Sequence, residues 1–208
     1  MYLECSKLVG CHDSRGLLHQ PVSFSLEAGK ILSFMGENGI GKTTLVHILA
    51  GLDRNFEGGF NYLRKPGGAG IVDYRRSIWL QPQQRLLFDD VSVVENIDLS
   101  RLPVGQFPSI EWRPFEIFRK MRRQRVLRLS GGEKKMLAHL CAINSGRSIW
   151  LLDEPCAGLN KAASRILAMS LRSCAEELGK MIIIADHDAE FIDTVSDAVI
   201  TVKRQPNQ

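Results

Sequence analysis

The 208-residue sequence predicts an α/β fold: a mostly parallel sheet with helices on its faces, an antiparallel element near the start and a small inserted helical lobe. Three observations carry this. Apolar runs alternate with helical patterns along the chain, as strands joined by helical crossovers do. Two of those runs, "IWLL" at 149–152 and "MIIIA" at 181–185, are apolar throughout, as in strands buried on both faces. From about Gln84 to Arg128 the strand signals stop, and Pro103, Pro108 and Pro114 punctuate short helical pieces.

In chain order, strands are expected at 22–26, 31–35, 77–80, 148–152, 181–185 and 198–202. Helices are expected at 42–50, about 114–123, 132–144, 162–178 and 189–194. The tract Leu26-Glu27-Ala28-Gly29-Lys30 reads as a turn between the first two strands, which places the antiparallel element there. Residues 1–83 and 129–208 then form one α/β core, and 84–128 the lobe, within a single domain. Repeats and low-complexity tracts are absent.

Composition narrows the class. Hydrophobic residues at 44% and charged ones at 24% are ordinary for a soluble globular chain. No apolar run approaches the length of a membrane span. "MYLECSKLVG" lacks the basic start and apolar centre of an export signal. Five scattered cysteines without metal-ligand spacing fit reduced thiols in the cytosol. A formal charge of +4 is too small to argue for nucleic acid.

The chemistry concentrates in three stretches. Residues Gly36, Glu37, Asn38, Gly39, Ile40, Gly41, Lys42, Thr43 and Thr44 lie between an expected strand and an expected helix. Gly36, Gly41, Lys42 and Thr43 match G-x-x-x-x-G-K-[ST], a loop that wraps phosphates in backbone N–H groups. The helix start adds unpaired N–H groups and partial positive charge. Lys42 is suited to the β- and γ-phosphates and the Thr43 hydroxyl to Mg²⁺. The competing reading is a tight strand-to-helix turn with a surface lysine.

A buried strand then ends in Asp153 and Glu154. Beside a phosphate loop, Asp153 is placed to hold Mg²⁺ and Glu154 to accept a proton from attacking water. Alone, "DEP" would be an ordinary strand terminator. Ahead of it, Ser130, Gly131 and Gly132 open a helix, a second anion-binding geometry of hydroxyl plus N–H groups, or else a plain serine cap. A second anion site is redundant for one nucleotide bound in cis. It makes sense if the serine serves a nucleotide on another subunit.

"GENGIGKTT", "LSGGE", "IWLLDEP" and the later His187 in "IIIADHD" together resemble, over nearly the whole chain, the ABC-type ATPase domains. The resemblance implies a P-loop NTPase core that binds and hydrolyses ATP with Mg²⁺. It implies a Walker A loop at Gly36–Thr44, with Asp153 and Glu154 as the Walker B acid and the catalytic base. Gln83 would be the glutamine that contacts Mg²⁺ and the attacking water, with Gln81 and Gln84 close enough to compete for the role. His187 would bond the γ-phosphate. Family members act as head-to-tail pairs, so Ser130, Gly131 and Gly132 would act in trans.

Two departures from the family pattern stand out. The tract "LVGCHDSRG", where an adenine-stacking aromatic is expected, offers only His12 as a ring. Such stacking contributes on the order of 1–3 kcal/mol. Asn160 replaces the usual aspartate after the acidic strand.

The resemblance further implies an integral-membrane transporter subunit as partner and a cytoplasmic, peripheral position on the inner face of the membrane. The lobe and the Gln83 loop would form a groove for a short helix of that subunit, with Phe115 and Phe118 lining it or filling the lobe's own core. Arg119, Lys120, Arg122, Arg123 and Arg125 read as a solvated helix face, or as a contact for anionic lipid at about 1 kcal/mol per charge. No aromatic platform supports a nucleic-acid role. A soluble ATPase of iron–sulfur cluster assembly is the alternative, from the likeness of "LSGGEKK". A non-enzymatic regulatory module ranks last because Lys42, Asp153, Glu154 and His187 are all present.

Overall fold

The computed structural model describes residues 1–12, 16–63, 74–84, 87–100 and 115–205. Two sheets share the work. The first is antiparallel: β1 (Tyr2–His12) runs between β3 (Val22–Glu27) and β5 (Phe56–Leu63), and the two-residue β2 (Gly16–Leu17) pairs with its far end. The second is parallel throughout, in the order β6 (Ile78–Gln81), β7 (Ile149–Asp153), β8 (Met181–Asp186), β4 (Ile31–Met35) and β9 (Ala198–Thr201).

The central strands of the parallel sheet, β4, β7 and β8, are buried on both sides, as their apolar runs require, while the edge strand β9 is largely exposed. Trp150 and Leu152 face a core made with α4 (Gly131–Asn144), α5 (Lys161–Leu178) and α6 (Ala189–Val195). Ile149 and Leu151, pointing the other way, join α1 (Lys42–Leu49) and the antiparallel sheet. Leu26-Glu27-Ala28-Gly29-Lys30 therefore does not close a hairpin. It carries the chain from one sheet to the other, and the antiparallel partner of β3 is β1.

Four elements lie outside the sequence reading: β1, β2, β5 and α2 (Val93–Ser100). The helix expected at about 114–123 shrinks to α3 (Glu116–Lys120). The residues after it leave the helix because their carbonyls serve α2: Gln124 accepts from the Val93 N–H at 3.0 Å and Arg122 from the Val94 N–H at 3.0 Å. These are orphan donors of a helix's first turn. The expectations for Pro103, Pro108 and Pro114 fall outside the described residues. Among the described residues, no helix is long and apolar enough to cross a membrane.

Because all five strands of the main sheet run the same way, β4, β6, β7 and β8 end on one edge. That edge is where α/β folds gather ligand-binding groups.

Candidate functional site

Gly41 caps α1 with φ +104°, a conformation L side chains rarely adopt. A Cβ there would also come within 3.0 Å of the His19 ring and 3.3 Å of Leu18. The turn delivers Lys42, Thr43 and Thr44 to the strand edge as the first residues of the helix. Lys42 is only 5% exposed, and its ammonium donates to the carbonyls of Gly36 at 2.7 Å and Glu37 at 2.9 Å. Ile40 turns inward and joins the core. Asn38, Gly39, Gly41, Lys42, Thr43 and Thr44 line a cleft of about 430 Å³, closed by Leu18, Gln83 and Glu154.

The end of β7 supplies the acids. Asp153 is 2% exposed and accepts a hydrogen bond from the Thr43 hydroxyl at 3.1 Å, across 110 residues of sequence. Burial pushes its carboxyl up from the usual range, against the pull of that bond. A buried carboxylate beside a hydroxyl is a hard oxygen donor pair of the kind Mg²⁺ takes. The residues present fit that ion.

Glu154 is held differently. Its φ is +47°, and its N–H donates to the Ala185 carbonyl at 2.8 Å. The carboxylate takes a hydrogen bond from Gln83 Nε2 at 2.6 Å. His187 Nδ1 stands 3.6 Å from Glu154 Oε1 and 3.6 Å from Asp186 Oδ1, beyond direct bonding but within reach of both through modest motion. Gln83 is the glutamine that lines the cleft. Gln81 is buried at the end of β6 with its Oε1 unpartnered, and Gln84 lies outside the cleft on the far side of the loop.

Ser130, Gly131 and Gly132 do not line this cleft. Ser130 caps α4 in a reciprocal box with Glu133: Oγ accepts from the Glu133 N–H at 3.3 Å, and the Glu133 carboxylate accepts from the Ser130 N–H at 2.7 Å. Asn160 caps α5, accepting from the Ala163 N–H at 2.9 Å. His12 lies in β1, with its side chain outside the described residues.

Two residues at this edge were missed from the sequence. Asp186 is fully buried, and its Oδ1 accepts from the N–H groups of His187 at 2.7 Å and Asp188 at 3.1 Å. Lys135 is 8% exposed and its ammonium donates to the Glu154 carbonyl. The signal for Lys135 was its helical phase. Lys134 faces out to pair with Asp89 at 2.7 Å, so its neighbour, turned by 100°, faces in.

The family model described as ABC transporter matches residues 19–157. A putative ABC transporter ATP-binding protein of Treponema denticola is 31% identical over 183 residues, covering 87% of this chain and 37% of that protein. The molybdenum import ATP-binding protein ModC of Mycobacterium tuberculosis is 29% identical over 197 residues, covering 88% of this chain and 53% of its own. The chain thus spans about a third to a half of these two relatives' length. A solved ATP-binding subunit of an ABC transporter superposes with a TM-score of 0.79 at 20% identity, over 98% of this chain and 86% of that one. A dimeric ATP-binding cassette bound to ADP and Pi gives 0.77 at 21% identity, over 97% and 94%.

Proposed function

The chain belongs to the ABC transporter family of ATP-binding proteins, and from that premise we propose that it binds ATP with Mg²⁺ and hydrolyses it to drive a membrane transporter through closure of a head-to-tail pair. The observation that carries this reading is the convergence at one sheet edge of Thr43 with Asp153 at 3.1 Å, Gln83 with Glu154 at 2.6 Å, and His187 with Glu154 at 3.6 Å.

Lys42 and the N–H groups of the 36–44 loop bind the phosphates. Thr43, Asp153 and Gln83 would hold Mg²⁺, which when bound neutralises charge on the phosphate oxygens. Glu154 takes the proton from the attacking water, and Gln83, already bonded to that carboxylate, orients the pair. His187 contacts the γ-phosphate from the end of β8. Ser130, Gly131 and Gly132 lie off the cleft in their own subunit, which suits action on a nucleotide held by the partner.

The partner is an integral-membrane transporter subunit, and the chain sits peripherally on the inner membrane face. ModC is named as an import ATP-binding protein, and that name favours transport over the soluble iron–sulfur assembly role.

Phosphate release tests the reading. The wild-type chain is expected to turn over ATP, and Glu154→Gln to retain ATP with turnover reduced more than about 100-fold, as loss of a positioned base does. Equal rates in the two proteins, or no release from the wild type, would overturn it.

A further inference from the structure

Glu154 adopts a backbone conformation that a side chain disfavours, with φ +47°. Such a residue is strained and persists only where its surroundings over-determine it. Both of its backbone polar groups are gripped. The N–H is tied to the Ala185 carbonyl of β8 at 2.8 Å, and the carbonyl to the Lys135 ammonium, with the Ala157 N–H as a longer second donor at 3.3 Å. The second grip is unusual in its donor. A lysine that is 8% exposed sacrifices hydration to bond a neutral carbonyl, in a site that also contains Asp186, Asp153 and the Glu154 carboxylate.

Lys135 reaches this point from α4, whose first residues follow the Ser130 cap. The same helix therefore presents Ser130 at its start and holds the end of β7 from its second turn. Glu154 Oε2, aimed by this backbone turn, meets Gln83, and Oε1 faces His187.

We propose that Lys135 is a positioning residue: it ties the helix that carries Ser130 to the left-handed turn that aims Glu154 into the cleft. The inference rests on the role given above to Glu154. Lys135 does not line the cleft, and acts by keeping the carboxylate directed between Gln83 and His187.

Replacement by methionine keeps the apolar stem and removes the ammonium. Lys135→Met is expected to lower kcat by about 10- to 100-fold, with KM for MgATP and the Kd of a fluorescent ATP analogue each within about twofold of wild type. Lys135→Arg, which keeps a cationic donor, is expected to recover most of that loss. In nucleotide-free protein, amide hydrogen exchange in the peptide containing Glu154 is expected to accelerate in Lys135→Met and to stay near wild type in Lys135→Arg.

Wild-type kcat and exchange in Lys135→Met would overturn the proposal. So would parallel losses of nucleotide affinity and kcat that arginine fails to rescue, which describe a merely structural lysine. Should methionine prevent folding, Lys135→Leu, which also lacks the donor, is read by the same kcat-against-KM split, with the same loss of kcat expected and a wild-type kcat overturning the proposal. Absence of phosphate release from the wild type would sink the ATPase reading alone, because the exchange measurement still decides whether Lys135 holds Glu154.

Discussion

Asp186 shows how one buried side chain can set the conformation of the next two residues. It has no exposed surface, yet its Oδ1 receives two backbone N–H groups and its Oδ2 lies 3.2 Å from the Cys156 thiol. Burial, and then the adjacent carboxylate, push that thiol up from its ordinary value, so it stays a neutral donor. The carboxylate thereby bends the chain out of β8 and presents His187 to Glu154. Asp186→Ala strands those donors and is expected to cost about 2–3 kcal/mol, from the penalty for unsatisfied partly buried groups. Asp186→Asn keeps an oxygen where Oδ1 stands and should lose less than half as much. Urea denaturation of the three proteins checks the order. Equal losses in the two variants would show that the charge matters and the N–H bonds do not.

At the scale of elements, the antiparallel sheet turns on a single irregularity. The pairing of β1 with β3 slips between Cys5 and Leu8, and that with β5 between Ser6 and Val9. Lys7, at the slip, has φ +49°, and Gly58 across from it has φ +86°. An added Cβ on Gly58 would lie 2.2 Å from the Lys7 carbonyl oxygen, a backbone atom that cannot swing away. Gly58→Ala combines that clash with a left-handed strain. It is expected to destabilise by roughly 2–4 kcal/mol, read as a lowered Tm, whereas Gly59→Ala, with nothing within 4 Å of its Cβ, should be mild. An unchanged Tm for Gly58→Ala would mean the bulge can migrate.

The bulge also explains what the sequence hid. Leu3 and Cys5 alternate inward, but Leu8 continues the buried face only after the slip, so period-two counting breaks down in β1. Two central glycines weaken the strand signal of β5. The reading missed α2 although a signal was there: Ser92 and Glu95 form the same reciprocal cap as Ser130 and Glu133, a Ser-x-x-Glu spacing that the sequence reading did not use. The central parallel strands β7 and β8 were readable because burial on both faces leaves few polar positions to confuse the pattern. Residues of the candidate site whose proposed chemistry lies in spacing, from Gly36 to Thr44, could be named from the sequence. Lys135 and Asp186 were not, because their roles depend on which way a side chain faces within the fold.

The whole molecule is joined by a residue with no place in the chemistry. His139 of α4 is fully buried, with its ring 5.8 Å from Phe115 at the start of α3, 5.7 Å from Trp150 in the sheet, and Nε2 2.8 Å from the Ser170 hydroxyl of α5. Its Nδ1 has no partner among the described residues. Burial alone holds its protonation down to about 3, from an ordinary value of 6.5. Between those two pH values the unfolded chain binds a proton at this position that the folded chain refuses. Unfolding therefore becomes easier as pH falls through 6.5, by up to ~1.4 kcal/mol per pH unit from this one group. His139→Leu removes the refused proton along with the unpartnered nitrogen. The variant is expected to lose stability more slowly than wild type between pH 6.5 and about pH 4, with the two curves closest in slope above pH 7.5. Denaturant midpoints taken across that range decide the matter. Parallel curves below pH 6.5 would mean that Phe115, the sheet and α5 separate around His139 before it must take up its proton, and that the joint is looser than its packing implies.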